Sequence, residues 1–232
     1  MSHHEPTRKI ARISLQLHVE ELRRRCEAIA RFQGGVTHYL EERGIFQSYA
    51  EETGLILPTA PPELSRTPDD EGNEHQVWFV PQEDSYIKAT WPDFFGLLVI
   101  HRPDEEPKAS LIAYLERWLL HNELFGDDVE FLGALATPQG LRLIIRQTAI
   151  QGIPASEEQI AQFFAQSGWK AFIISGNTAY VDPQRHIAVS DTHRGNIVLM
   201  PDGNLAPIDL RVQHLSGSLI DAVQHLVNTR RV

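Results

Sequence analysis

Cysteine is almost missing: Cys26 is the only one in 232 residues. No intrachain disulfide can form and no cysteine-based zinc site exists, so a reducing compartment, the cytoplasm, is expected. Long apolar runs are missing too. None approaches the roughly 20 residues that span a bilayer, and the start Met1-Ser2-His3-His4-Glu5-Pro6 has no apolar leader segment. A membrane partner is therefore not expected. Basic residues are in the minority, 21 Lys and Arg against 31 Asp and Glu, giving a formal net charge of −10 and an isoelectric point near 5.5. Nucleic acid is disfavoured as a main partner on that ground. There is no Gly-x-x-x-x-Gly-Lys-Ser/Thr loop, no His-Glu-x-x-His and no Gly-x-Ser-x-Gly. The pair His3 and His4 reads as exposed and inert. His101, His121, His214 and His225 have no metal-ligand spacing and read as surface or satisfied residues. What remains is an ordinary apolar content of 42%, enough for a core, in a length that suits one large domain or two small ones.

Along the chain, residues 7–49 read as helical, with Leu15, Val19, Leu22, Cys26 and Ile29 in one apolar stripe and a break at Gly34-Gly35. Arg23-Arg24-Arg25 lies off the stripe among glutamates and reads as a solvated, ion-paired face. Residues 57–73 hold four prolines and read as a linker. Hairpin strands follow at 76–80 and 85–89. Lys88 lies in the second of them and, taken alone, reads as a residue of the exposed face. A helix over 107–124 carries Glu116 and Glu123 off its apolar face, and Gly126-Asp127-Asp128 ends it. Strands at 129–135 and 141–146 lead into an extended connection, 147–152. Ser156-Glu157-Glu158-Gln159 starts another helix. Extended segments at 179–182 and 186–190 precede the most informative stretch, and a helix over 218–228 closes the chain.

That stretch is Asp191-Thr192-His193-Arg194-Gly195-Asn196 followed by two apolar runs, Ile197 to Met200 and Leu205 to Ile208, and then Asp209. Pro201-Asp202-Gly203-Asn204 between the runs is turn chemistry, so a hairpin should return Asp209 to Asn196, with Asp191 held close by a short loop. Two oxygen donors beside a third carboxylate suit a Mg²⁺-dependent phosphoryl-transfer site.

The pattern Asp191-x-His193-x-x-Asn196 with Ile208-Asp209 resembles the protein-kinase-like superfamily. In its catalytic loop it is similar to the aminoglycoside and choline phosphotransferases. With Pro201-Asp202-Gly203 and Pro207-Ile208-Asp209 it is closer to the compact kinase-like domains of polyvalent proteins of phages and mobile elements. The resemblance extends from about His75 to Val212 and implies a nucleotide-binding enzyme using ATP and Mg²⁺. It implies that Asp191 orients the acceptor hydroxyl and takes its proton, that His193 braces the loop, and that Asn196 and Asp209 hold the metal. Lys88 would grip the phosphates, with Glu116 as its partner and Glu123 as the alternative. Gln147, Thr148, Ala149, Ile150 and Gln151 would form the hinge that pairs with adenine.

The chain departs from that pattern. No Gly-x-Gly-x-x-Gly precedes Lys88; the metal aspartate stands in Ile208-Asp209-Leu210; and no Ala-Pro-Glu follows. Too few residues follow Asp209 for an activation segment and a full helical C-lobe. The acceptor is then small, or the N-terminal helices supply the missing wall, or catalysis has been lost. The expected fold is α+β and kinase-like: an antiparallel-sheet N-lobe with one main helix, a reduced C-lobe and an N-terminal helical extension. The expected partition is an extension over 1–60 and a kinase-like domain over 61–232, its N-lobe about 70–147 and its C-lobe about 152–232. The expected activity is phosphoryl transfer to an unidentified hydroxyl. The alternative is a non-catalytic nucleotide-binding or interaction module of a mobile-element or toxin–antitoxin-like system, with a protein partner captured by the N-terminal helices.

Overall fold

The computed structural model describes residues 5–33, 39–103 and 105–229. The His3-His4 pair and the Gly34-Gly35 break lie outside them. The fold is mixed α and β with antiparallel sheets, as expected. The chain forms two units. The first runs to Gly96 and resumes over Lys108–Ala149; the second comprises Leu97–Pro107 and the chain from Ile150 onward.

In the first unit, helices α1 (Glu5–Gln33), α2 (Tyr39–Thr53) and α3 (Leu111–Phe125) pack on one face of an antiparallel sheet. Its strands are β1 (Asp70–Glu71), β2 (His75–Val80), β3 (Ser85–Thr90), β4 (Glu130–Thr137) and β5 (Gly140–Thr148), in the order β1-β2-β3-β5-β4. The stripe read from α1 is the reason it docks: Leu15, Val19 and Leu22 are fully buried, and they join Phe46 of α2, Tyr114, Leu115 and Trp118 of α3, and Leu143 and Ile145 of β5 in one core. The basic triplet faces outward, where Arg24 and Arg25 pair with Glu21, Arg25 with Glu52 and Arg23 with Glu116.

The proline-rich stretch does more than link. Leu57 and Leu64 cover Trp78, Ile87, Ala89 and Ile144 on the second face of the sheet, and a 3₁₀ turn at Pro62–Ser65 precedes Arg66, whose carbonyl accepts from Trp78 Nε1. Both faces of the sheet are therefore covered, and that overturns the exposed reading of Lys88. Its strand neighbours Ile87 and Ala89 point to the proline-rich layer. Lys88 points the other way, toward α3, and is only 6% exposed.

Helix α3 starts later than the apolar pattern suggests. Ser110 is its N-cap, accepting from Ala113 N at 3.2 Å, because the residues before it are committed elsewhere: Pro107 O accepts from Leu98 N and Ala109 N donates to Gly96 O. Gly126, left-handed at φ +67°, ends the helix as read.

The second unit holds α4 (Glu157–Gln166), capped by the reciprocal Ser156–Gln159 box, and α5 (Ser218–Thr229). It has a four-stranded sheet in the order β12-β9-β8-β7, built from β7 (Lys170–Ile174), β8 (Asn177–Asp182), β9 (Ile187–Ser190) and β12 (Arg211–His214). A three-stranded sheet in the order β11-β10-β6 uses β6 (Ile153–Pro154), β10 (Ile197–Leu199) and β11 (Leu205–Pro207). The face of α5 read from the sequence packs on the larger sheet, with Val99 and Ile100 contributed by the early segment. Ile100 N donates to Gln213 Oε1 at 2.9 Å, which ties that segment to β12.

Gly133 marks a tight crossing in the first unit. It sits at a bulge in β4 with φ +138°, where the segment after α2 runs alongside: Leu57 N donates to Ala134 O and Ala134 N to Leu55 O, both at 2.8 Å. A Cβ on Gly133 would stand 2.5 Å from Leu55 O. Gly133→Ala should therefore destabilise the protein by about 1–3 kcal/mol, read as a lower urea midpoint at unchanged slope; a midpoint equal to the parent's would contradict the crossing.

Candidate functional site

The motif of the second unit begins where β9 ends. Asp191 follows Ser190 with φ +64°, left-handed backbone that a non-glycine residue adopts at a cost. The loop is pinned on two sides and closed by a turn of its own. Thr192 Oγ1 donates to Thr178 O on β8 (3.1 Å), Arg194 Nε to Ala155 O ahead of α4 (3.3 Å), and Asn196 N to His193 O (2.9 Å). The β10–β11 hairpin then pairs Ile197 with Pro207 and Leu199 with Leu205, and Ile208 N donates to Asn196 O at 2.9 Å. The hairpin closes as its turn residues imply and returns Asp209 to Asn196.

One side chain joins the three polar positions. Asn196 Nδ2 donates to Asp191 O at 3.0 Å and to Asp209 O at 3.1 Å. Both hydrogens of the amide are thus committed to main chain, which orients its oxygen as the atom left for a cation. Among the described residues no group of three or more His, Cys, Asp or Glu is placed to hold a metal ion. Asn196 Oδ1 and the Asp209 carboxylate are the oxygens that the sequence offers for a metal, hard donors of the type Mg²⁺ takes beside waters and substrate phosphates.

Asp191 has two neighbours. His193 Nδ1 accepts from Gly195 N–H at 3.0 Å, so the ring proton belongs on Nε2, which faces Asp191 Oδ1 at 3.4 Å. Glycine at 195 allows this, since a Cβ there would lie 2.9 Å from His193 Cε1. Arg211 Nη2 stands 3.5 Å from Asp191 Oδ2. Arg211 was not singled out in the sequence. The available signal was its place two residues beyond Asp209, at the start of β12, whose pairing sets Arg211 opposite Ser190.

The other sequence-derived candidates lie in the first unit, apart from Ile150 and Gln151, which begin the second unit's main segment. Lys88 Nζ lies 5.2 Å from the ring centroid of Trp118 on α3, a cation–π distance. Glu116 accepts from Arg23 Nε at 2.5 Å, and Glu123 is exposed on the same helix. Gln147 and Thr148 belong to the end of β5, and their side chains are held by the two acids after α3. Gln147 Nε2 donates to Asp127 Oδ2 and Thr148 Oγ1 to Asp128 Oδ2, both at 2.5 Å. Asp127 Oδ2 also lies 2.9 Å from His121 Nδ1, and that imidazole is fully buried. The acids read as a plain helix stop therefore lock the last residues of β5. Ala149 N donates to Asp84 O at 2.8 Å.

The clamp made by Asn196 can be tested alone. Asn196→Asp keeps the shape and replaces a donor by an acceptor facing two carbonyl oxygens. A loss of about 1–3 kcal/mol is expected, with faster amide exchange over residues 191–197. Unchanged stability and exchange would show that the amide does not tie the loop to the hairpin.

A family model described as serine/threonine/tyrosine kinase found in polyvalent proteins matches residues 40–214, well over half of the chain. No curated protein and no solved structure matches it.

Proposed function

Because the chain belongs to the serine/threonine/tyrosine kinases found in polyvalent proteins, and so is a kinase-like phosphotransferase, we propose that it transfers the γ-phosphoryl group of ATP, with Mg²⁺, to a hydroxyl. The observation that carries this reading is the Asn196 amide joined to the main chain of both Asp191 and Asp209. In this reading it holds together the main chain that carries the acceptor's carboxylate and the hard oxygens for the phosphates.

In this reading Asp191 accepts the proton of the attacking hydroxyl. His193 Nε2–H and Arg211 face its two carboxylate oxygens and orient it. Asn196 Oδ1 and Asp209 hold Mg²⁺, which when bound neutralises phosphate charge. Lys88 adds the positive charge that a phosphate chain needs, from a buried position over the Trp118 face. Burial strengthens that charge because little water screens it. Pairing of Glu116 with Lys88 would require it to leave Arg23. With Gln147 and Thr148 paired along β5 with Tyr86 and Ser85 and the Ala149 N–H given to Asp84 O, backbone pairing with adenine falls to the Ala149 carbonyl, Ile150 and Gln151. Catalysis by this set is positioning and charge stabilisation, since phosphoryl transfer asks little covalent chemistry of the protein.

Asp191→Asn should lower ATP turnover, measured as ADP release, by about 10²–10⁴-fold. It should leave the affinity for ATP–Mg²⁺, measured by isothermal titration, within about threefold. Lys88→Met should weaken that affinity by about tenfold or more. Absence of ATP–Mg²⁺ binding at millimolar nucleotide by the folded parent protein would reject the reading.

A further inference from the structure

The second unit contains a cavity of about 930 Å³. One end of it is the candidate catalytic loop: Ser190, Asp191, Thr192 and His193 line it, with Arg211 beside them. Asn196 and Asp209, the candidate metal ligands, do not line it. The carboxylate suited to an acceptor thus borders the cavity, and the oxygens suited to phosphates lie outside it.

Its walls are built from three further pieces of this chain. One is α4, through Ile160, Ala161 and Ala165. Another is the β7–β8 hairpin, whose turn residues Ser175 and Gly176 both have positive φ. The last is the early segment, through Leu97, Val99 and Pro107.

The lining chemistry is specific in what it lacks. Its carboxylates are Glu157 and Asp191, and the Arg211 guanidinium stands against the second of them. Neither a polycation nor a polyanion finds a countercharge cluster there. Beside uncharged hydrogen-bonding groups such as Asn177, Thr178, Ser190 and Thr192, the lining offers an aromatic and aliphatic patch. Trp169 and Tyr180 line the cavity, and Phe164 holds both rings in place: it stacks on Tyr180 at 4.1 Å and 14°, and it meets Trp169 edge to face at 5.6 Å. Rings fixed this way present flat apolar surface without losing further rotamer freedom on binding. The volume falls in the range of small-molecule sites, about 300–1,000 Å³.

We infer that this cavity is the acceptor site of the phosphotransfer proposed above, on which this inference rests, and that it takes a small uncharged alcohol with an aromatic or otherwise flat apolar body. The body lies against Trp169 and Tyr180, and the hydroxyl reaches Asp191. A bond forms between the hydroxyl oxygen and the γ-phosphorus of ATP. The bond from that phosphorus to the bridging oxygen breaks, ADP leaves with the electron pair, and the hydroxyl proton passes to the Asp191 carboxylate.

The test separates the cavity from the kinase reading. Binding is measured on the full chain without nucleotide, by saturation-transfer NMR, using 2-(4-hydroxyphenyl)ethanol as the uncharged aromatic alcohol. Inositol serves as an uncharged polyol without an apolar face, kanamycin as a polycation, and a Glu-Tyr copolymer as a polypeptide acceptor. ATP–Mg²⁺ binding is titrated separately. The aromatic alcohol is expected to bind in preference to the other three and to be phosphorylated when ATP–Mg²⁺ is added. Its affinity should fall about tenfold or more in Ala161→Trp, which fills the cavity from an exposed helix position, and likewise in Trp169→Ala. Circular dichroism melting checks the fold of each variant. Preference for kanamycin or the copolymer overturns the proposal, as does binding of the alcohol that both variants leave unchanged. Binding of the alcohol and of ATP–Mg²⁺ with no transfer between them overturns the acceptor assignment. Binding of the alcohol with no ATP binding supports the cavity's ligand class and rejects the kinase reading instead.

Discussion

The candidate site depends on a single amide. Asn196 spends both hydrogens of its side chain on main-chain carbonyls that lie on either side of it in sequence. Asp191 is the last point at which β9 can be left, and its left-handed backbone is tolerable only because the loop beyond it is anchored to β8, to the residue ahead of α4 and to the hairpin. Besides the amide, the bond from Ile208 N to Asn196 O joins the loop to the returning strand of the hairpin. A buried or half-buried donor with two acceptors at 3.0–3.1 Å is a modest interaction in energy but a strict one in geometry. It ties the main chain at Asp191 and at Asp209 to the Asn196 side chain.

The first unit uses a different device to hold charge. Its sheet is covered on both faces, so the lysine in the middle of β3 is only 6% exposed. Its Nζ lies 5.2 Å from the Trp118 ring centroid. The neighbouring acids follow the same economy of side chains. Asp127 serves Gln147 and lies against His121, and Asp128 serves both the N–H and the hydroxyl of Thr148. The end of β5 is thus fixed by the residues that terminate α3, and its polar side chains are turned inward. Buried polar groups with partners on two elements make an ordered junction of a place where the chain changes direction.

Local signals in the sequence carried a large part of this fold. Pro201 to Asn204 between apolar runs marked the hairpin, Ser156 with Gln159 marked the start of α4, and the three-and-four spacing of Leu15, Val19 and Leu22 marked the buried side of α1. Each of these is decided within a few residues. Other features were not legible for a common reason. Alternation in β3 says that Lys88 opposes Ile87 and Ala89, but alternation equals exposure only when one face is open, and cover by residues 57–64 is a long-range fact. Strand β12 is four residues with a single fully apolar one and exists through its partner β9. Strand β7 was passed over although Ser175-Gly176 is sound hairpin chemistry, because Ala171 to Ile174 lack clean alternation. In the second unit, Asp191, His193, Asn196 and Asp209 came from motif spacing, whereas Arg211 there, and Trp118 and the Asp127–Asp128 pair in the first unit, act through contacts that no window along the chain contains.

The early segment Leu97–Pro107 bears on how the protein is made. Val99 and Ile100 belong to the core that α5 completes, and the chain must be synthesised as far as Val223 before that core can close. The sheet of the first unit, complete by Thr148, has no such wait. During synthesis, two apolar residues threaded through the sequence of the first unit stay without all of their native neighbours until α5 is made. Contacts across more than a hundred residues, such as Ile100 to Gln213, are slow to form and leave apolar surface open meanwhile. The second unit is accordingly not a transferable module: a gene fragment beginning at Ile150 would encode its helices and strands but not all of its interior.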